Sequence, residues 1–269
     1  MPEPVSRHVH ADLLPQLLEL DAVIHASVTR RAVQALAVHA TANDVAMIFD
    51  VGAGTGAGTF ALAAEYPGAQ VVAVDVDQDM LDRVLRRAED QEVAGRISTV
   101  RLDIGVSGLD AGVADVVWSS NAMHEVRDPV AAFGNIFRGL RRGGVLLVVE
   151  MDSPPLVLPR EYAPLETALR AAAGADRPAP DWSGALAEAG FDLLDTRSLT
   201  NDQVLPADGP GGTYASVELR RLAQHALSAL TEEAISDLRE LVTDLTTRHE
   251  LIEHVHIRGT RTLWIARRP

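Results

Sequence analysis

Five short apolar runs, at residues 46–51, 71–75, 97–102, 113–118 and 145–150, recur along the chain with helical or turn sequence between them. This alternation constrains the fold more than any other feature. Short continuous apolar runs are what strands buried on both faces look like, and the helical stretches between them supply the crossovers that parallel pairing needs. The expected fold class is therefore α/β, with a doubly wound sheet. Helices are predicted near residues 59–65, 78–91 and 129–140. The last runs into Arg138-Gly139-Leu140-Arg141-Arg142-Gly143-Gly144, where arginines suit the negative end of a helix and glycines permit a left-handed turn back. Further strands are predicted at 191–199 and 260–266.

The remaining segments are read as helical additions to that sheet. Two amphipathic patterns, at 11–24 and 25–39, precede the first strand. A polar stretch rich in Ala and Pro runs from Glu150 to Pro180. PADGPGG at 206–212 reads as a hinge-like loop, followed by helices near 217–227 and 232–247. Thr231 is the expected N-cap of the latter, with Leu230 and Ile235 as its staple and Glu232 and Glu233 in its first turn. The expected domains are an N-terminal helical cap at 1–44, a cofactor-binding core at 45–199, a helical insertion serving as substrate cap at 200–258, and a closing strand of the core at 259–269.

With 269 residues, 47% of them apolar, the chain is long enough for one large α/β domain with an insertion. A net charge of −14 repels phosphate backbones and anionic lipid, which argues against nucleic acid or a membrane surface as partner. The absence of cysteine removes disulfides, thiolate nucleophiles and Cys-type zinc sites. The N-terminus has no apolar core flanked by basic residues, and no stretch reaches the ~18 apolar residues that span a bilayer. A cytoplasmic protein is expected.

After the first strand stands Asp50-Val51-Gly52-Ala53-Gly54-Thr55-Gly56. A nucleoside cofactor laid across the ends of parallel strands needs backbone close to it, so side chains must be absent and tight dihedrals allowed. Gly52, Gly54 and Gly56 meet both needs, although Gly52, Gly54 and Ala57 also fit the dinucleotide pattern G-x-G-x-x-A. Asp50 favours a cofactor with a cationic amino-acid moiety, since a carboxylate is awkward beside a pyrophosphate. Asp75 ends the second strand nineteen residues beyond Gly56, the distance at which one helix and a returning strand bring a carboxylate to a ribose. Asp77 reads as the N-cap of the next helix. Asp103 is placed to receive an adenine amino group, with Ile104 against the ring.

DVGAGTG, VVAVDVDQDML, RLDI, ADVVWSSNAMHEVRDP, LRRGGVLLVVE, GFDLLD and RTLWIARR resemble, in order and spacing, class I S-adenosylmethionine (SAM)-dependent methyltransferases of the Rossmann-like type. The tail is similar to that of small-molecule methyltransferases of high-GC bacteria. The resemblance implies a seven-stranded sheet, mostly parallel with an antiparallel last strand, and SAM as cofactor. It places Asp50 and Gly52 near the methionine end, Asp75 on the ribose and Asp103 on adenine. The full cofactor set so expected is Asp50, Gly52, Ala53, Gly54, Gly56, Asp75, Val76, Met80, Asp103, Ile104, Ser119 and Asn121.

Methyl transfer from a sulfonium is an in-line displacement, so most of the work is alignment and a side-chain base is optional. A base is expected just after the fourth strand, among Ser119, Ser120, Asn121, His124 and Glu125, because ligands of open α/β sheets gather there. His124 is the candidate, its ordinary pKa suiting the role. Ser119 to Ala122 lacks the N/D-P-P-Y/F pattern of amide and exocyclic-amine methylation. A catechol-type metal cluster is not evident, although Glu150 and Asp152 are close in sequence. His249 and His254 are five apart rather than four, so no metal site is expected. His8, His10, Trp182 and Tyr214 are candidates for lining an acceptor pocket.

The reading is thus a methyltransferase acting on O or N, less readily C, of a small secondary metabolite. The alternatives are an NAD(P)-dependent oxidoreductase and a SAM-binding protein without methyl transfer. The acceptor, its attacking atom and the oligomeric state, a homodimer included, are not named by the sequence.

Overall fold

The apolar runs become neighbouring strands in a computed structural model that describes residues 6–175 and 180–269. In chain order the elements are α1 (Ser6–Ile24), α2 (Ala26–Ala37), β1 (Met47–Val51), α3 (Ala57–Glu65), β2 (Gln70–Asp75), α4 (Gln78–Asp90), β3 (Ile97–Arg101) and β4 (Ala114–Ser120). There follow α5 (Pro129–Gly139), β5 (Leu140–Met151), α6 (Ala163–Ala172), α7 (Ser183–Glu188), β6 (Asp192–Pro206), α8 (Pro210–Ala226), α9 (Glu232–Thr243) and β7 (His254–Arg267).

The seven strands form one sheet in the order β3-β2-β1-β4-β5-β7-β6. β1 pairs in parallel with both β2 and β4, β2 with β3 and β4 with β5, whereas β7 runs antiparallel to β5. The chain therefore leaves β1 toward β2 and β3, then returns to its other side as β4. The crevice outside the strand ends at such a reversal is where open α/β sheets bind ligands.

Two compact units are formed. The first comprises residues 28–151, 180–199 and 261–269 and contains the strand pairs just described. Its sheet is apolar on both faces. One face carries Ile48, Val71, Ala73, Val116, Trp118, Leu147 and Ile265 against residues of α2, α3 and α4. The other carries Phe49, Val51, Val72, Val117, Leu146 and Trp264 against residues of α5 and α7. Each fully buried side chain of this kind contributes roughly 1.5–3 kcal/mol. α2 is part of this core through buried Val28, Ala32, Val33, Ala35 and Leu36, so residues 28–44 are not a separate cap. Their apolar stripe covers the sheet.

The second unit comprises the described residues of 1–27, 152–179 and 200–260. Its interior includes Ile24, Val157, Leu169, Tyr214, Leu219, Leu241 and Ile257. Residues 152–175, which the sequence boundaries assign to the core, lie here because α6 packs with α8. The Ala- and Pro-rich stretch toward Pro180 includes residues 176–179, which lie outside the described residues. Thr231 caps α9, accepting a hydrogen bond from the Ala234 N–H at 3.2 Å. Among the described residues no helix is long and apolar enough to cross a membrane.

Two turns differ from expectation. α5 ends at Gly139, but Leu140 is extended and fully buried as the first residue of β5, and the left-handed glycine is Gly143 (φ 78°) inside that strand. Burial of Leu140 in the core draws the chain straight into the sheet. The expected hinge at 206–212 is shorter, since α8 begins at Pro210 and buries Gly211 and Gly212. Proline at the first helical position forfeits only an N–H that has no helical partner.

Candidate active site

The strand ends bring the sequence candidates to one edge of the first unit. β1 delivers Asp50 and the glycine loop, β2 Asp75, β3 the segment with Asp103, β4 Ser119 to Asn121, and β5 Glu150. In register, Asp50 lies beside Ala73 on one side and Trp118 on the other, and Val51 beside Ser119.

The loop after β1 hooks over β2, with the N–H groups of Gly52 and Ala53 both donating to the Val74 carbonyl at 2.8 and 3.0 Å. Gly52, Gly54 and Gly56 all take positive φ, at 72°, 51° and 87°, a region open to glycine at little cost. At Gly52 a side chain is excluded twice over, because an added Cβ would lie 2.2 Å from the Ala122 Cβ. Ala53 is buried and Gly56 caps α3.

Asp50 is 2% exposed and accepts a hydrogen bond from the Thr59 hydroxyl at 2.6 Å. Burial pushes its carboxyl up to about 6, against the opposing effect of the Thr59 bonds, with the nearby Asp75 charge adding to the rise. Gly58 permits this arrangement, since a Cβ there would lie 2.7 Å from the Trp118 Nε1 and 2.9 Å from an Asp50 oxygen. Thr59 opens the predicted helix and Gly58 precedes it, and neither carries a local sign of this role.

Asp75 joins two loops. One oxygen accepts from the Gly54 N–H at 2.8 Å, the other from the Asp77 N–H at 3.0 Å. Asp77 caps α4 by accepting from the Asp79 N–H. Val76 is exposed, whereas Met80 is buried. Asp103 is exposed and accepts from the Gly105 N–H at 2.9 Å, while Ile104 is buried and its carbonyl accepts from Asn135 at 2.7 Å. Ser119 is fully buried, and its hydroxyl has no protein partner. Asn121 holds φ 52° and uses its side-chain oxygen to accept the Met151 N–H at 3.0 Å, tying the end of β4 to that of β5.

His124 sits on a one-turn 3-10 segment, Met123–Glu125, with 40% of its side chain exposed. Its Nδ1 lies 2.7 Å from an oxygen of Glu150, a side chain only 2% exposed, and its Nε2 lies 3.2 Å from exposed Glu125. The other Glu150 oxygen accepts the N–H groups of Ala122 and Met123 at 3.0 and 2.7 Å. The His124 pKa is raised, chiefly by its hydrogen bond to Glu150, and burial opposes the rise. Sequence reasoning noted Glu150 only as a neighbour of Asp152. The signal for it was an acid closing an apolar strand, as Asp50 and Asp75 do.

The remaining candidates are packed or paired elsewhere. Trp182 is buried edge-on against Phe133, with ring centroids 5.8 Å apart. Tyr214 is buried in the second unit, where its hydroxyl donates to Asp21 at 3.2 Å. Neither ring is available to line an open pocket. His256 pairs with Asp202 at 2.6 Å, His249 is a left-handed residue closing a helical turn, and no metal-type cluster occurs among the described residues. The side chains of His8 and His10 lie outside the described residues.

Residues 49–148 match the family described as methyltransferase domain. A demethylmenaquinone methyltransferase of Clavibacter sepedonicus is 34% identical over 113 residues, 42% of this chain and 44% of that protein. A malonyl-[acyl-carrier protein] O-methyltransferase of a Methylovorus strain is 36% identical over 103 residues, 37% of this chain and 35% of that protein. The chain thus spans less than half the length of these curated relatives. A solved structure from Bacillus halodurans superposes with a TM-score of 0.58 at 20% identity, covering 90% of this chain and 99% of its own. A geranyl diphosphate methyltransferase solved with SAM gives 0.53 at 15% identity, covering 94% and 90%.

Proposed function

We propose, from the match of residues 49–148 to the family described as methyltransferase domain and from the seven-stranded sheet that carries it, that this protein transfers a methyl group from SAM to an oxygen or nitrogen of a small metabolite. The observation that carries the reading is the pairing of a glycine loop with carboxylates at the ends of β1 and β2, beside a partnered histidine after β4.

The residues fit the cofactor chemically. The left-handed loop allows backbone to approach a nucleoside. Asp75 retains lone pairs beyond the two amides it accepts and suits the hydroxyls of a ribose. Asp50 offers negative charge toward a cationic amino-acid group, and the unpartnered Ser119 hydroxyl is a further polar contact. Ala53, Val76, Met80, Asp103 and Ile104 complete the nucleoside side of this assignment, with Asn121 holding the β4 end.

When bound, SAM supplies a methyl on its sulfonium: the acceptor's lone pair forms the new bond to carbon, and the carbon–sulfur electron pair returns to sulfur. His124, neutral, takes the acceptor's proton on Nε2. General-base help of this kind is typically worth ~10² to 10⁴-fold. The nicotinamide alternative is disfavoured by Asp50, whose buried carboxylate stands where a pyrophosphate would be repelled. The negative net charge argues against nucleic acid or a membrane surface as partner.

The test is calorimetry with SAM and NAD(H), followed by mass spectrometry of a metabolite extract incubated with methyl-labelled SAM. SAM binding and a labelled product are expected. Binding of NAD(H) with SAM ignored overturns the proposal, and SAM binding without a labelled product from any extract favours a binder that does not transfer.

A further inference from the structure

Glu150 divides its two oxygens between two tasks. One accepts the N–H groups of Ala122 and Met123, fixing the backbone that carries His124, and the other lies 2.7 Å from the His124 Nδ1. Its side chain is 2% exposed, so water does not compete for either oxygen. A carboxylate can only accept hydrogen bonds, so Nδ1 must carry hydrogen, and in the neutral ring the lone pair is then confined to Nε2. We infer that Glu150 is the positioning residue of this site, setting both the tautomer and the orientation in which His124 presents Nε2 as base to the acceptor. Glu125, 82% exposed and 3.2 Å from Nε2, is the contact of the protonated ring. A neutral Nε2 lone pair repels that carboxylate, and the exposed Glu125 side chain has solvent to turn into.

The inference rests on the methyltransferase reading, but its direct test needs no acceptor. Glu150→Gln separates the two tasks of the carboxylate. The amide oxygen can still accept from Ala122 and Met123, while the amide NH₂ now faces Nδ1 and forces it to become the acceptor, moving hydrogen to Nε2. Side-chain nitrogen NMR of the full chain, with histidines assigned through His124→Gln, reads the tautomer. The expected result is Nδ1–H in the native protein and Nε2–H in Glu150→Gln, with the variant still folding cooperatively, at a cost in stability at pH below the raised His124 pKa, and with SAM affinity by calorimetry unchanged. Glu150→Asp, a shorter carboxylate, is expected to restore Nδ1–H. If Glu150→Gln folds and His124 keeps its native tautomer, the inference is overturned and Glu150 is only a backbone acceptor. If Glu150→Gln does not fold, the native spectrum decides, because Nε2–H there also overturns it. SAM calorimetry on the native protein tests the methyltransferase reading separately. A failure there is distinguishable from a failure of the tautomer.

Discussion

Thr59, in the first turns of α3, donates its hydroxyl at 2.6 Å to the carboxylate of Asp50, buried at the end of β1. Hydrogen bonding from Thr59, through its hydroxyl and its backbone, is poor compensation for removing a carboxylate from water, which explains why the Asp50 carboxyl is pushed up to about 6. A native acid that holds its proton above the unfolded value loses stability as pH rises. The penalty is absent below about pH 4 and complete above pH 6, and two pKa units amount to about 3 kcal/mol. Asp50→Asn should therefore stabilise the protein at neutral pH by up to about 3 kcal/mol and weaken SAM binding. Thermal unfolding across pH 4 to 8, with calorimetry at pH 7.5, checks both. Destabilisation at neutral pH would contradict the argument.

Asp75 is expected to behave differently because its oxygens hold the Gly54 and Asp77 N–H groups. Asp75→Ala leaves both donors without their partner, at about 1–3 kcal/mol for each that stays dry. SAM affinity should fall at least ~10-fold, about 1.4 kcal/mol. His124→Ala should leave SAM affinity intact and lower turnover. Calorimetry on both variants separates the roles, and equal losses would remove His124 from catalysis.

The pH profile should report His124. Its pKa is raised by the hydrogen bond to Glu150, so the neutral, basic ring appears only above the ordinary histidine value of about 6.5. Turnover is expected to rise with pH through that raised value. The linked stability has the opposite sense, being fully present below about pH 6.5 and lost as pH rises through the folded value. A rate independent of pH between 6 and 9 would argue that no histidine base is used.

Gly52 combines φ 72° with a Cβ position 2.2 Å from the Ala122 Cβ. Gly52→Ala should cost about 1–3 kcal/mol from backbone strain together with a clash of similar size. Adding Ala122→Gly should recover the clash and leave the strain, so the double variant is expected between the single variant and the native protein. Chemical denaturation measures all three.

Sequence was enough for what depends on near neighbours. The apolar runs, the glycines at alternate positions and the acids closing β1 and β2 are legible because strand burial, dihedral freedom and cap chemistry are set within a few residues. The Asp77 and Thr231 caps follow from the same local logic. Tertiary structure decided whatever depends on which strand lies beside which. Glu150 meets His124, 26 residues away, only because β4 and β5 pair in parallel and end together. α2 joins the core because one face of the sheet needs covering, and Trp182 is buried because Phe133 offers an edge-on partner. The chain's own periodicity names its strands and their carboxylates. Pairing between distant segments, governed by sheet order and burial, determines which carboxylate holds the histidine.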